Sequence, residues 1–313
     1  MADKSGIDYV DASWGIWRGC TKTISPCCAN CYAEREMNRW NMDFNKIGIA
    51  SKAMWRKPLS KAWEHVRRVF VCPWSDFFHE GVSHELRHDA FCRMCENPNI
   101  IWIIPTKRPQ VALDFSKWQI EHYDEWSLES PYVPDKNRWG QERLILLLSC
   151  GNQADLERQI GTFLQIPFGL KGLSLEPMLG PVDLNFNVQF SHEDNEGYGV
   201  PAIKGLDWVI CGGESGPKAR PMNPDWVRAV RDDCAAAGVS FYFKQWGEWL
   251  PILGQVNGAK IINNKRHFFL EGEAVAWVGK KAAGRMLDGR IWDQYPLPLL
   301  PPSDNKKSEV KNG

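Results

Sequence analysis

Six short apolar runs constrain the fold of this chain more than any other feature of the sequence. They are Val69–Cys72, Ile100–Ile104, Leu144–Leu148, Leu173–Leu175, Trp208–Cys211 and Ser240–Phe243. None of the runs alternates strictly between apolar and polar residues, which is typical of strands that are buried on both faces. Most of the gaps between them are long enough for a parallel crossover. The runs therefore predict an α/β fold with a mainly parallel sheet, either open or closed into a barrel.

Two helices are predicted between these runs. One covers the segment HELRHDAFCRMC, residues 84–95. The other has Asn223 as its N-cap, Pro224 at the first helical position and Gly238 as its stop. Apolar residues recur at helical spacing within it, at Trp226, Val227, Val230 and Cys234. The segment between Leu175 and Trp208 is polar and glycine-rich in its second half, which predicts mostly a surface loop.

The domain organisation follows from this reading. Residues 1–250 are expected to form the main α/β unit. Residues 251–300 carry short β-prone pieces (260–262, 267–270 and 275–278) and a basic stretch, and form a small C-terminal extension. Residues 301–313 are charged and predict a disordered tail. No apolar run approaches the ~20 residues of a membrane span, and the start lacks a signal peptide, so we expect a cytoplasmic protein without a membrane partner.

The charges cancel, with 38 basic and 38 acidic residues. Neutrality argues against coating of nucleic acid by bulk charge and leaves room for a local basic groove. Tryptophan and arginine recur side by side, which suits stacking on single bases but is also typical of packing. The pairs are Trp14, Trp17 and Arg18, then Trp55 and Arg56, then Arg138 and Trp139.

The sharpest local signal is a cluster of four cysteines within residues 20–31. Cys20, Cys28 and Cys31 form the pattern C-x7-C-x2-C, in which the x2 pair can chelate one metal centre. Three readings remain open at this point. A four-iron cluster with three thiolates leaves one iron open, a structural zinc needs a fourth ligand, and small buried side chains need no metal. Cys27 is an awkward ligand beside Cys28. The pair Cys92 and Cys95 shares one helix face, and a core role is favoured for it and for the cysteines of the apolar runs.

Polar residues follow each apolar run, where a parallel sheet collects its functional groups. The candidate cofactor-binding residues at these strand ends are Asp76, Lys107, Ser149, Glu176, Gly212, Gly213, Glu214 and Lys244. Such a set can line one polar cavity. For several of these residues a second interpretation is open. The Gly212–Gly216 turn is either a tight turn or a close approach to a ligand, and Lys107 lies either in a solvated loop or against an anion. Asp76, with His79 and Glu80, suits either a metal site or hydrogen bonding.

The chain resembles a phage and prophage family with a three-cysteine motif that is regarded as radical-SAM-like and is mostly uncharacterised. The resemblance is carried, in order, by GCTKTISPCCANCYAE, SDFFHE, TKRP, SLEPMLGPVDL, GGESGPKARPMNPDWV, FKQWGEW and VGKKAAGRMLDGR, so it spans nearly the whole chain. The usual radical-SAM spacing is C-x3-C-x2-C, from which this chain departs. The family has Gly at the position of Cys27.

The resemblance implies a partial or full (β/α) barrel and a [4Fe–4S] cluster held by Cys20, Cys28 and Cys31. S-adenosyl-L-methionine would bind the open iron and yield a 5′-deoxyadenosyl radical that modifies a substrate, with a nucleic-acid base as one candidate. Tyr32 would pack near the adenine. Expected partners are DNA or a nucleotide, an electron donor and a phage-encoded protein. The alternative is a non-enzymatic nucleic-acid-binding or partner-binding protein with a structural zinc or iron–sulfur centre.

Overall fold

A seven-stranded parallel sheet, curled into a half-barrel and flanked by helices, forms the centre of the molecule. The structure is a computed structural model. It describes residues 5–122, 143–167, 169–190, 198–252 and 259–296. The prediction of an α/β fold with a partial (β/α) barrel is confirmed.

The elements are numbered in chain order. The strands are β1 (Ala12–Trp14), β2 (Trp17–Arg18), β3 (Gly48–Ile49), β4 (Arg68–Val71), β5 (Ile101–Thr106), β6 (Leu144–Ser149), β7 (Leu170–Leu175), β8 (Asn187–Phe190), β9 (Tyr198–Pro201), β10 (Trp208–Gly212), β11 (Ser240–Gln245), β12 (Trp249–Pro251), β13 (Arg266–Phe268) and β14 (Ala274–Trp277). The α-helices are α1 (Tyr32–Arg39), α2 (Lys52–Arg56), α3 (His84–Cys95), α4 (Pro109–Glu121), α5 (Gln153–Leu164), α6 (Pro224–Ala237) and α7 (Lys280–Ala283). The half-barrel has the strand order β1-β4-β5-β6-β7-β10-β11.

All six apolar runs coincide with strands of the half-barrel. The seventh strand, β1, was not predicted from the sequence. It has three residues, Ala12–Trp14, of which the middle one is a serine, so it leaves no apolar run. It is an edge strand that pairs in parallel with β4 through Ser13 and Phe70.

The two predicted helices are present as α3 and α6. The Asn223 side chain accepts a hydrogen bond from the Asp225 N–H at 3.0 Å, and Gly238 has a left-handed backbone with φ 73°. The prediction that the segment between Leu175 and Trp208 is mostly loop is wrong in part. The antiparallel hairpin of β8 and β9 lies there, with Val188 opposite Val200, and Val188 contributes to the core.

A three-stranded antiparallel sheet in the order β12-β14-β13 follows the half-barrel. The chain then returns to β11, where Tyr242 bridges Asp293 and the Trp246 indole donates to the Met286 carbonyl at 2.8 Å. The β-prone piece at residues 260–262 is not a strand, because a 3-10 turn begins at Ile262. The predicted tail, residues 301–313, lies outside the described residues. No helix in the described ranges is long and apolar enough to cross a membrane.

The two faces of the half-barrel have different cores. Its outer face packs on the helices, in a cluster that includes Trp102, Leu146 and Phe241. Its inner face carries a second cluster in which Tyr9, from the segment before β1, packs on Trp208 and Tyr242. The apolar filling of the inner face leaves the carboxyl ends of the strands for polar residues.

Candidate functional site

The cysteine loop, residues 19–31, lies at the carboxyl edge of the half-barrel. It follows β2 and ends where α1 begins at Tyr32. Gly19 has φ +91°, and a Cβ there would lie 2.2 Å from the Lys46 carbonyl oxygen, so only glycine fits. The Cys20 N–H donates to the Phe44 carbonyl at 2.7 Å. The start of the loop is therefore fixed against the residues that precede β3.

Cys20, Cys28 and Cys31 are half-buried free thiols on this loop. Cys20 and Cys31 pack against the same small cluster of Ala33, Met37 and Phe44. The Cys28 sulfur lies 3.4 Å from the Thr23 hydroxyl. Among the residues that the structure describes, no group of three or more His, Cys, Asp or Glu side chains is arranged to hold a metal ion. The three thiols thus share a loop without forming a ligand group as they stand.

Cys27 has a different environment from its neighbours. It is buried, and its thiol donates to the Pro177 carbonyl, at the end of β7, with a sulfur-to-oxygen distance of 3.7 Å. A Cβ at Gly151 would lie 2.8 Å from the Cys27 sulfur. Burial raises the pKa of the Cys27 thiol. Cys27 therefore packs into the ends of β6 and β7.

Asp76 organises the loops after β4 and β5. Its carboxylate is buried and accepts hydrogen bonds from the Thr106 hydroxyl and the Lys107 N–H, both at 2.8 Å, and from the Phe78 N–H at 2.9 Å. The Arg108 guanidinium completes the set at 3.3 Å. Of the alternatives given for Asp76, the structure shows hydrogen bonding to the neighbouring loop. The predicted contact of Asp76 with a cofactor stays a prediction.

Arg108 joins this network to the cysteine loop. Its Nη2 donates to the Thr21 carbonyl at 2.8 Å, its Nη1 lies 3.6 Å from the Cys20 sulfur, and its Nε donates to Glu80 at 2.8 Å. Burial raises the pKa of the Cys20 thiol to about 11, and the neighbouring Arg108 charge only partly opposes this. His79 adds a further link, because its Nε2 lies 3.1 Å from the Thr21 nitrogen.

Lys107 is the unpaired cation of the site. Its side chain makes no ion pair or hydrogen bond with any described residue, whereas its backbone is held by Asp76. Burial lowers its pKa, but the nearby Cys27, Cys28 and Asp76 outweigh that effect and raise the pKa above its ordinary value. A half-buried ammonium that has no partner among the described residues is available to an anionic group of a ligand.

The upper inner face of the half-barrel is lined by polar residues. Ser149 of β6 stands opposite Ser174 of β7, and residues paired in this way point to the same face. Beyond them, Lys244 forms an ion pair with Glu176, whose side chain is only 10% exposed. The second carboxylate oxygen of Glu176 is buried and has no hydrogen-bond partner in the described part of the chain. Buried acceptors of this kind are uncommon, and a ligand donor would satisfy this one.

The glycine turn after β10 serves packing. A Cβ at Gly213 would lie 2.0 Å from the Trp246 carbonyl oxygen, and one at Gly212 would lie 3.4 Å from the Lys244 Cβ. At this turn the backbone approaches the end of β11 closely, and the predicted approach to a ligand stays a prediction.

Glu214 accepts hydrogen bonds from the Arg220 N–H at 2.7 Å and from the Asn30 amide at 3.2 Å, besides its ion pair with the Arg220 guanidinium. All these donors belong to the protein. Glu214 therefore holds the cysteine loop, through Asn30, to the end of β10.

Tyr32 is 46% exposed, and its hydroxyl donates to the Pro73 carbonyl. It stands at the first position of α1, directly after Cys31.

Sequence reasoning missed two residues that hold the cysteine loop. Asp155, buried in the first turn of α5, accepts from the Ser25 hydroxyl at 2.5 Å and from the Gly151 N–H at 3.2 Å. Arg220 donates to the Pro26 carbonyl at 3.1 Å. The spacing of Asn152 and Asp155 indicates a helix start, but nothing local in the sequence links either residue to the loop.

The remaining cysteines lie apart from the loop. Cys72, Cys150, Cys211 and Cys234 are buried core residues, as predicted. Cys92 lies 3.3 Å from the His88 ring on α3, and burial raises the pKa values of Cys92 and Cys95 to about 11 and about 12. Packing describes three of the tryptophans that lie beside arginines in the sequence, since Trp14 and Trp17 are buried and Trp55 packs on them. Arg138 and Trp139 lie outside the described residues.

The fold and site together define an α/β half-barrel protein with a thiol-bearing loop at the carboxyl edge of its sheet. A family model matches residues 4–296, and the chain belongs to that family, DUF5131, which is described as a protein of unknown function. Neither the curated proteins nor the solved structures include a match to this chain.

Proposed function

We propose that this protein is a radical-SAM-like iron–sulfur enzyme, in which Cys20, Cys28 and Cys31 hold a [4Fe–4S] cluster and S-adenosyl-L-methionine is the cofactor. One observation carries the proposal. Three half-buried free thiols share one loop at the carboxyl edge of a parallel half-barrel, beside the unpaired ammonium of Lys107. This edge is where folds of this class bind ligands and carry out chemistry.

The donor set fits the cluster by its chemistry. Thiolates are the usual ligands of iron–sulfur clusters, and three of them leave one iron free for a small molecule. The thiols of Cys20 and Cys28 now contact Thr21 and Thr23, so binding a cluster requires the three sulfurs to converge. A cluster held by Cys20, Cys28 and Cys31 would, once reduced, supply the electron for cleavage of a carbon–sulfur bond of S-adenosyl-L-methionine.

The residues around the loop suit the polar groups of that cofactor. The Lys107 ammonium matches a carboxylate, and the unpartnered Glu176 oxygen matches a protonated amine. Ser149, Gly212 and Lys244 lie at the same edge of the half-barrel, and Tyr32 offers a half-exposed ring beside Cys31. The buried networks of Asp76 and Glu214 hold the surrounding loops in place, which fixes the geometry that a radical reaction needs.

The substrate proposed is a nucleic-acid base, with DNA or a nucleotide as the partner and a separate protein as the electron donor. The phage or prophage origin and the phage-encoded partner stay predictions from the resemblance, and the cytoplasmic location stays a prediction from the sequence pattern. Metal analysis after anaerobic purification tests the centre of the proposal. We expect about four iron and four sulfide per chain, with visible thiolate-to-iron absorbance. Zinc without iron would overturn it in favour of a structural centre.

A second measurement tests the reaction. The iron-loaded protein is reduced in the presence of S-adenosyl-L-methionine and assayed for 5′-deoxyadenosine. Formation of this product is expected in wild type and not in Cys28→Ala. Iron binding without the product, under any reductant tried, would show that the cluster is structural.

A further inference from the structure

Residues 18–61 carry a strong excess of positive charge. They contain nine basic and three acidic residues, whereas the whole chain has 38 of each. Two of the three acids are already neutralised within the segment, Glu34 by Lys22 at 2.8 Å and Glu36 by Arg39 at 3.1 Å. The positive charge that remains is therefore not balanced within the segment.

Five cations of this segment are exposed and form no ion pair with any described residue. We call them the basic stripe: Arg18, Lys46, Lys52, Arg56 and Lys61. Solvated lysines and arginines are ordinary, but a segment with only three acids among nine bases is uncommon in a neutral chain. Such a surface has a positive potential that steers and holds a polyanion.

The stripe runs along one side of the half-barrel, starting at the cysteine loop. Arg18 in β2 pairs with Gly48 of β3, and Gly19 packs on the Lys46 carbonyl. These residues lie next to Cys20, at the carboxyl end of edge strand β1.

Helix α2 continues the stripe along the outer side of β1. The Trp14 indole donates to the Met54 carbonyl at 2.9 Å, which fixes the helix there. The chain then descends to the amino edge, where the Arg67 N–H donates to Asp11 at 3.0 Å, directly before β1. Lys61 lines the same cleft as Arg67 and Glu64, so the five cations are spread from the carboxyl end of β1 towards its amino end.

Exposed aromatic rings lie at the site end of the stripe. Trp40, at the end of α1, is 64% exposed, and Tyr32 at its start is 46% exposed. By contrast, Trp14, Trp17 and Trp63 are at most 2% exposed. Exposed rings beside a linear row of cations are the combination that single-stranded nucleic acid requires, because bases stack and phosphates pair.

We propose that the basic stripe binds the backbone of a single-stranded nucleic acid and leads it to the cysteine loop. That this binding delivers a base to the site rests on the proposed function. The binding of nucleic acid by the stripe is independent of it. The elongated shape of the stripe favours a chain-like polyanion over a compact acidic protein. A docked acidic electron-transfer protein is the competing occupant.

Binding by the metal-free protein tests the inference. Fluorescent single-stranded DNA and RNA of about 12 nucleotides, a length within known site sizes, are titrated at several salt concentrations. Lys46→Glu/Lys52→Glu/Arg56→Glu is expected to weaken binding at least tenfold and to reduce the slope of log K against log salt by about 2, since each phosphate contact contributes about 0.7. The matched control Lys117→Glu/Lys204→Glu/Lys260→Glu makes the same charge change at exposed lysines elsewhere.

The inference fails if both triple variants lose affinity equally, or if wild type binds neither DNA nor RNA at low salt. It also fails if, in a parallel titration with an acidic flavin or iron–sulfur protein, the stripe variant loses only the binding of that protein. The DNA and RNA titrations identify which backbone is bound. Iron content is measured on separate anaerobic preparations. Binding without iron would sink the proposed function alone, and iron without binding would sink this inference alone.

Discussion

The Arg220 guanidinium donates to both oxygens of the Glu214 carboxylate, from Nε to Oε2 at 2.8 Å and from Nη2 to Oε1 at 2.6 Å. The same Nη2 donates to the Pro26 carbonyl at 3.1 Å. Because Glu214 follows β10 and Pro26 belongs to the cysteine loop, this pair joins the loop to the sheet. The Glu214 side chain is 5% exposed, so little solvent competes for these bonds.

Arg220→Lys is expected to lower the free energy of unfolding by about 1–3 kcal/mol, because an ammonium cannot reproduce the two-pronged contact. Urea unfolding measures the change. Arg39→Lys is the control, since Arg39 pairs with Glu36 while 67% exposed and should change stability by less than about 0.5 kcal/mol. Equal losses in the two variants would mean that the Glu214 contact adds nothing beyond an exposed pair.

Glu214 also predicts a pH dependence. Burial raises the pKa of this carboxyl, but the bonds from Arg220 and Asn30 outweigh burial and hold the pKa below its ordinary value of 4.5. The folded pKa lies below the unfolded one. The stabilisation is therefore complete above about pH 4.5 and is lost as the pH falls through the folded value.

Glu214→Gln is accordingly expected to be less stable than wild type at neutral pH and to lose less stability on acidification. Urea unfolding midpoints measured from neutral pH to below pH 4 compare the two proteins. Parallel curves for wild type and variant would contradict the assignment.

The structure of the cysteine loop predicts different roles for the neighbouring residues Cys27 and Cys28. Each of the variants Cys20→Ala, Cys28→Ala and Cys31→Ala is expected to abolish iron binding. Cys27→Ala is expected to retain iron, because the Cys27 sulfur is buried against Pro177 and not available as a ligand. Iron and sulfide content after anaerobic purification is the readout, with circular dichroism to confirm folding. Loss of iron in Cys27→Ala together with retention in Cys28→Ala would exchange the roles of these two residues.

Gly213→Ala is expected to destabilise the protein by several kcal/mol, because a Cβ would lie 2.0 Å from the Trp246 carbonyl oxygen and backbone would have to move. Gly161→Ala provides the opposite case. Gly161 lies inside α5, where a Cβ would meet nothing closer than the Val188 Cγ1 at 3.6 Å. This variant is expected to gain about 0.5–1 kcal/mol of stability. The thermal unfolding midpoints of both variants are the measurement: we expect a lower midpoint for Gly213→Ala and a higher one for Gly161→Ala than for wild type.

Much of the fold could be predicted from the sequence because its strands are apolar on both faces. β6, with six consecutive buried residues, leaves an unambiguous run. β1 does not, since it has three residues and Ser13 at its centre. The β8–β9 hairpin was hidden because Asn187, Gln189 and Gly199 interrupt its apolar residues, and only Val188 is buried.

That the candidate residues lie at one edge of the sheet could be predicted from the sequence, whereas the partners that each residue contacts could not. Strand-end position alone brought Lys107, Ser149 and Glu176 into the list, because parallel strands end at one edge. Long-range partners are different. Ser25 and Asp155 are 130 residues apart, and Arg220 and Pro26 are 194 apart. Local periodicity and capping carry no information about contacts over such separations.

The contact between Cys27 and Gly151 makes these two positions mutationally coupled. With a thiol at position 27, a methyl group at position 151 has no room, because the sulfur would be 2.8 Å away. If Cys27 is first replaced by Gly, the tightest contact is removed and Gly151→Ala is expected to cost less stability. Single-site scanning would therefore score position 151 as strongly restricted, although the tightest of its constraints comes from position 27 and the others, Leu179 Cδ1 at 3.2 Å and the Pro177 carbonyl oxygen at 3.3 Å, are looser. A double-mutant cycle on the pair is expected to give a favourable coupling energy of about 1–3 kcal/mol.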